Sequence, residues 1–460
     1  MRCPIRRRSL LFALFLTVPQ CSADEGPLTI PPRNEPKPQL VALVGIQATS
    51  EFGEFQNVVQ SEMTAFFEEA GLASDWLDAS HLPIHARVFR HPSEGTVFVE
   101  LETAKPLDLE AMSKKVNNQE HRPVAGMTDA WVNGRTAARS LPAENGRFTC
   151  LLGELFGSEP AKSPWFHHRV ETKLNKIEQR LLAKVENHIA YALVRGAPFV
   201  KDEPQVANLM GLVGPKGLVV AMGIKVEDGK TIIDQHYGLR VGQGMIGGIL
   251  PNDAGDAREL KAPPFSPDMS LHVNLGPSVS RTLEPYLAMI PGGLDEKKLE
   301  ALGTLLDAWT GELTVHYHSK GGTVILVRID KESGKDVDAA FKALELGPEM
   351  KMEGMSVGIG REGDLVRVHV ATGPAKAPKP QPGQEDPFGG IAAPVKLLTG
   401  QSMIKAFQDA QESALDALKG NAAYMAGYRV SNKLGRALFR NRMAVTIRWD
   451  KTGTHVRTRL

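Results

Sequence analysis

Apolar positions along this chain follow two rhythms. Leu40–Ile46 is a short continuous apolar run of the kind that fills a buried strand. Phe55, Val58, Val59, Met63, Phe66, Phe67 and Ala70 then recur at helical spacing until Gly71. His85–Phe89 and Thr96–Leu101 flank Ser93-Glu94-Gly95 and predict a hairpin, giving the order strand, helix, strand, strand. The same order is expected at Ile189–Val194, Pro204–Leu209, Leu218–Val226 and Thr231–Val241, turning at Asp228-Gly229. A third copy runs from Ser270–Leu275 through helical stretches at Ser278–Ile290 and Leu299–Trp309 to the hairpin Leu313–His318 and Thr323–Asp330. A fourth comprises Ala422–Val430, Asn432–Phe439, Met443–Trp449 and Thr454–Leu460, with its turn at Asp450–Gly453.

Between these modules lie two further hairpins. Ala130–Arg139 turns at Asn133-Gly134, and Ser356–Ile359 with Leu365–Val370 turns at Glu362-Gly363. Each is followed by a predicted long helix, one from Ser163-Pro164 to about Glu186, the other over Ser402–Leu418.

Landmarks repeat at a nearly constant offset. Gly95-Thr96-Val97 returns as Gly322-Thr323-Val324, Asp108 and Ala111 as Asp336 and Ala339, Gly126-Met127 as Gly354-Met355, and Tyr191 as Tyr424. The expected architecture is α+β. Two homologous tandem halves, 40–255 and 266–460, would each carry antiparallel sheets built from β-α-β-β modules with helices packed on one face. The Pro-, Lys- and Gly-rich segment 374–390 reads as a disordered loop.

The N-terminus changes the picture. Basic residues among the first eight, an apolar core from Leu10 to Val18 and the small run Cys21-Ser22-Ala23 form a secretory signal over residues 1–23. The core is too short for a membrane span. Cleavage after Ala23 is preferred to lipid attachment at Cys21, because Pro19-Gln20 precede that cysteine. Arg7-Arg8 also fits a twin-arginine signal, ranked second to the general route. Residues 24–39 form a proline-rich linker. The mature chain is then expected in the periplasm or outside the cell. Removing the signal takes away four arginines and turns the formal charge of +1 slightly negative. No basic footprint for nucleic acid remains. Cys150 alone is left of three cysteines, which excludes an internal disulfide.

Several patterns suggest chemistry, each with a plainer explanation. Gly242-Gln243-Gly244-Met245-Ile246-Gly247 matches a dinucleotide fingerprint, but that motif needs a helix N-terminus after a strand. Gly248 to Gly255 reads as a loop. Gly354-Met355-Ser356-Val357-Gly358 matches a nucleophile elbow, yet Ser356 sits in strand alternation. His316 and His318 flank Tyr317 and would share one face of a strand, as two ligands of a zinc ion or as an exposed polar face opposite Val315 and Tyr317. Adjacent His167-His168 point about 100° apart on a helix and chelate poorly. Cys150, among leucines, reads as a buried inert thiol. Trp165-Phe166 reads as an aromatic staple at a helix start.

Residues 268–330, above all Trp309–Val315 and the hairpin after it, resemble exported bacterial proteins built from repeated strand–helix–hairpin units that have no established activity. The resemblance implies no catalytic residue, cofactor or metal. The expectation is a non-enzymatic exported protein holding a lipid or other apolar ligand, or an envelope partner, between its halves. One alternative is a secreted hydrolase using Ser356 or a metal at His316 and His318. Another is a structural or assembly role in the envelope.

Overall fold

The computed structural model describes residues 38–47, 79–91, 97–109, 122–124, 129–133, 136–154, 172–199, 219–242, 244–263, 265–287, 295–319, 322–348, 350–352, 355–371, 387–400 and 442–460, with a few isolated positions between them. The signal, most of the linker and of segment 374–390, and the stretches predicted at 55–71, 204–209, 402–418, 422–430 and 432–439 lie outside the described residues.

Antiparallel sheet dominates. The described residues hold nineteen strands but five α-helices, of which the longest has 13 residues. This overturns the expected helix-packed α+β class. Helical periodicity is a weak guide here, because apolar residues at helical spacing continue beyond the residues that cap a helix.

Two compact units form. The first contains the described residues up to 199 together with 219–226; the second contains those from 227 onward. Strands of the first unit are β1 (Gln39–Ile46), β2 (Ile84–Arg90), β3 (Val97–Thr103), β4 (Arg122–Pro123), β5 (Ala130–Asn133), β6 (Thr136–Glu144), β7 (Arg147–Glu154), β8 (Ala190–Arg195) and β9 (Val219–Glu227). They lie in the order β9-β8-β1-β2-β3-β7-β6-β5-β4, every pair antiparallel.

The predicted hairpin β5–β6 is present, with Asn133 opposite Thr136. A tighter one was missed. Glu144 faces Arg147 across Asn145-Gly146, whose φ values of 51° and 73° suit a two-residue turn matched to strand twist. That turn creates β7, a strand for which no element had been expected.

One face of this sheet buries Phe89 stacked on Phe98, with Leu40, Leu151 and Phe166. The other buries Ala86, Leu101, Ala138 and Cys150.

The long helix expected from Ser163 is also corrected. Helix α1 spans only Lys176–Leu182. Asn175 caps it, accepting from the amides of Ile177 and Glu178, while Glu178 reaches back to the Asn175 amide at 2.8 Å. This reciprocal capping box fixes the start twelve residues later than Ser163-Pro164 suggested.

The second unit contains β10 (Lys230–Tyr237), β11 (Met269–Asn274), β12 (Trp309–His318), β13 (Gly322–Ile329), β14 (Met350–Met352), β15 (Met355–Glu362), β16 (Leu365–Ala371), β17 (Val395–Thr399), β18 (Met443–Asp450) and β19 (Gly453–Arg459). Their order is β10-β19-β18-β17-β11-β12-β13-β16-β15-β14. From β18 to β14 this repeats, strand for strand in chain order, the run from β9 to β5 of the first unit. Helices α2 (Gly244–Ile249), α3 (Val279–Leu287), α4 (Glu296–Ala308) and α5 (Gly334–Ala343) belong here. Ala308 of α4 and Val337 of α5 close a small core with Ile329 and Val366. No described helix is long and apolar enough to cross a membrane.

Candidate functional site

The first unit carries a cleft of about 250 Å³ beside its central strands. Two register rows build its floor. Tyr191, Gly45, His85 and Glu102 lie side by side on β8, β1, β2 and β3; Leu193, Leu43, Arg87 and Glu100 form the next row on the same face. Gly45 is required here: a Cβ at this position would fall on the Tyr191 ring, which lies across it. Flattened in this way, Tyr191 brings its hydroxyl to 3.1 Å from His85 Nδ1.

Leu43 and Leu182 of α1 supply the apolar side chains of the lining, while Val44 and Ala86 border it from strand positions whose side chains belong to the other face. Arg87 forms an ion pair with Glu100, which is 2% exposed. Arg147 Nε stands 4.0 Å from Glu102. Burial, reinforced by Arg147 and opposed by Glu102, lowers the His85 pKa. Burial, with Glu186 acting in the same sense, raises that of Tyr191. Both shifts favour the neutral forms, so imidazole and phenol share one neutral hydrogen bond. Each carboxylate here faces a guanidinium, so the cleft offers an apolar body and a polar rim.

His316 and His318 are placed on β12, but not as an exposed polar face. They are 0% and 7% exposed, whereas Val315 and Tyr317 are half-buried. The reason is a strap, residues 255–265, that crosses this side of the sheet. Thr314 Oγ1 accepts from the Leu260 amide at 3.2 Å, and His316 Nε2 meets the Lys261 carbonyl at 3.3 Å. Phe265 is buried against Val324 and Leu326, with its ring 5.8 Å from that of His318.

Register places Ser270 opposite His316 and His272 opposite Thr314. Ser270 Oγ lies 3.0 Å from His316 Nδ1. Because Nε2 faces a carbonyl it carries the proton, and Nδ1 accepts from the serine. Nucleophile and base are arranged in this polarity in acyl transfer. Here, however, Ser270 is 4% exposed and the strap carbonyl occupies the outer side of the ring. Both His316 nitrogens are engaged, which also removes it as a metal ligand in this arrangement. Among the described residues no three His, Cys, Asp or Glu side chains gather as a metal site. Burial, then His316 and Lys396, takes the His272 pKa down to about 4; burial lowers that of His316.

The remaining candidates scatter. Ser356 pairs in register with Lys351 and Ala371 inside the β14–β15–β16 ladder, without the strand-to-helix turn an elbow needs. Gly244–Ile249 forms a six-residue helix where a loop was expected, and the Gly242 amide is bonded to the Gly247 carbonyl. Cys150 is 3% exposed, and burial pushes its thiol up to about 12. Trp165, His167 and His168 lie outside the described residues. Phe166 is wholly buried in the core ten residues before α1, so it does not staple that helix start.

One cluster had no sequence signal. Arg448 Nε donates to His455 Nδ1 at 2.9 Å, and His455 Nε2 donates to Asp234 Oδ1 at 2.9 Å. Arg457 clasps the same carboxylate through Nε and Nη2 at 2.8 and 3.1 Å. Asp234 lies more than 200 residues from the other three in the chain and meets them through the β10–β19 and β18–β19 registers. With Arg448 on its acceptor nitrogen, His455 is a structural link rather than a base.

Comparison with protein-family models, curated proteins and solved structures finds no match to this chain.

Proposed function

We propose that this protein is an exported, non-catalytic binding protein whose first unit holds a small amphipathic ligand. The observation that carries the reading is the cleft beneath Tyr191, in which an apolar lining meets hydrogen-bonding and charged side chains already paired with one another. Such mixed concave surfaces suit a ligand with a hydrocarbon body and one polar head. The expectation of a lipid or other apolar ligand is narrowed accordingly. The sequestered Ser270 and His316 support binding rather than bond cleavage.

Isothermal titration with octanoate and with octylammonium tests this and reads the sign of the preferred head group. One of them should bind saturably at one site, and Leu182→Trp, which fills the cleft, should weaken it at least tenfold. Binding that is absent for both, or indifferent to the substitution, would discard the proposal. Covalent labelling of Ser270 or Ser356 by a fluorophosphonate would instead favour the hydrolase reading.

A further inference from the structure

Alternation puts His455, Arg457 and Arg459 of β19 on one face. The first two are tied to Asp234. Arg459 is not. Among the described residues no carboxylate, carbonyl or hydroxyl accepts from it, and its Nε is shut away from water without a partner. Its register neighbours are Ala444 on β18 and Ile232 on β10, which are 5% and 2% exposed and offer no acceptor. Above it the chain turns at Gly389, with φ +63°. A Cβ there would fall on Arg459 Nη1, so this turn is shaped around the guanidinium. Two residues further along the neighbouring chain segments stand Lys230 and Arg442, which add positive charge.

A guanidinium cannot relieve this situation by losing its proton. An uncompensated charge in a partly desolvated site is strongly unfavourable; half-buried Arg328 and Arg457 of this unit have acids, Glu312 and Asp234, whereas Arg240 resembles Arg459 in keeping a buried Nε without a partner. We propose that Arg459, beneath the Gly389 turn, is the centre of a binding site for a small oxyanion. Phosphate and carboxylate groups share the acceptor geometry that a guanidinium fork recognises. The site is independent of the cleft in the first unit.

The test uses the full-length mature chain and two probes, inorganic phosphate and acetate, at fixed ionic strength. Calorimetric titration of the wild type should show saturable one-site binding of at least one probe. The stronger of the two identifies the group. Arg459→Gln should weaken it at least tenfold. Should that variant fail to fold, Ala444→Glu provides the second arm. It places a carboxylate directly opposite Arg459 and should abolish the response to the added anion. Failure of both probes to saturate, or an undiminished response in either folded variant, would overturn the proposal. A stabilisation that rises linearly with phosphate and is the same in all variants would do so too, because excluded salts act in that way on any folded protein.

Discussion

At the scale of single residues, the histidines beneath the strap make the sharpest prediction. His272 has a folded-state pKa of about 4 against an ordinary value near 6.5, and His316 is shifted in the same direction. Between those values the unfolded chain binds protons that the folded chain refuses. Stability is therefore full above pH 6.5 and declines as pH falls toward 4, by up to about 3 kcal/mol from His272 alone. The other groups around this stripe are Lys396, Asp256, Glu259, Arg258 and Lys261, and Lys396 already adds positive charge. Urea unfolding at pH 7, 5.5 and 4.5 should show the decline, and His272→Asn should flatten it. An equal slope in the variant would remove His272 from the account. Single residues also show why the stripe was misread. Polar side chains alternating with Val315 and Tyr317 point to a solvated face only when nothing covers them, and the cover comes from a segment more than fifty residues upstream. Ser270, the true neighbour of His316, is equally remote in sequence and is found only through strand register.

At the scale of elements, turns were more legible than helices. Glu362-Gly363 and Asp450–Gly453 mark real hairpins, each closed by a two-residue connection, and in the first the central Gly363 supplies the positive φ of 65°. Helix length was overestimated because Leu174, Ile177, Leu181 and Val185 keep helical spacing while Asn175 and Glu178 set the start. Asn175→Ala should cost about 1 kcal/mol, the usual worth of a side-chain cap. Glu178→Ala should cost more, since Glu178 is 3% exposed and also binds Arg195 at 2.6 Å. Thermal or urea unfolding of the two variants gives the order, and a reversed order would refute the double role assigned to Glu178.

At the scale of the molecule, eight strands follow one order in both units, but the repeated landmarks map onto it only in part: Val97 and Gly322 open the matched strands β3 and β13, whereas Met355 opens β15, the match of β6, while Met127 precedes β5, and Tyr424 lies outside the described residues. The functional surfaces do not repeat. The cleft under Tyr191 belongs to the first unit, while the histidine stripe and Arg459 belong to the second. The cleft and the surroundings of Arg459 were not legible, because register assembles them from strands far apart in the chain, and of the stripe only the pair His316 and His318 stood out. Strand β19 lies between β18 and β10 and carries His455, Arg457 and Arg459. Deleting residues 453–460 exposes two strand edges and leaves Asp234 without its cations. The truncated protein should aggregate on expression, as uncovered edges do. A soluble, cooperatively unfolding product would show that the strand is dispensable.

The strap has a consequence for how this fold can vary. Its first residues join the backbone network at Asn274 and Ala393, but from Arg258 to Lys261 it is fastened by the hydroxyl of Thr314 and the imidazole of His316. Rungs of the ladder beneath take no part in that attachment. The hold of the strap therefore depends on two β12 side chains and on the Lys261–Glu362 ion pair, so its sequence is tied to side chains of the sheet and not to strand pairing.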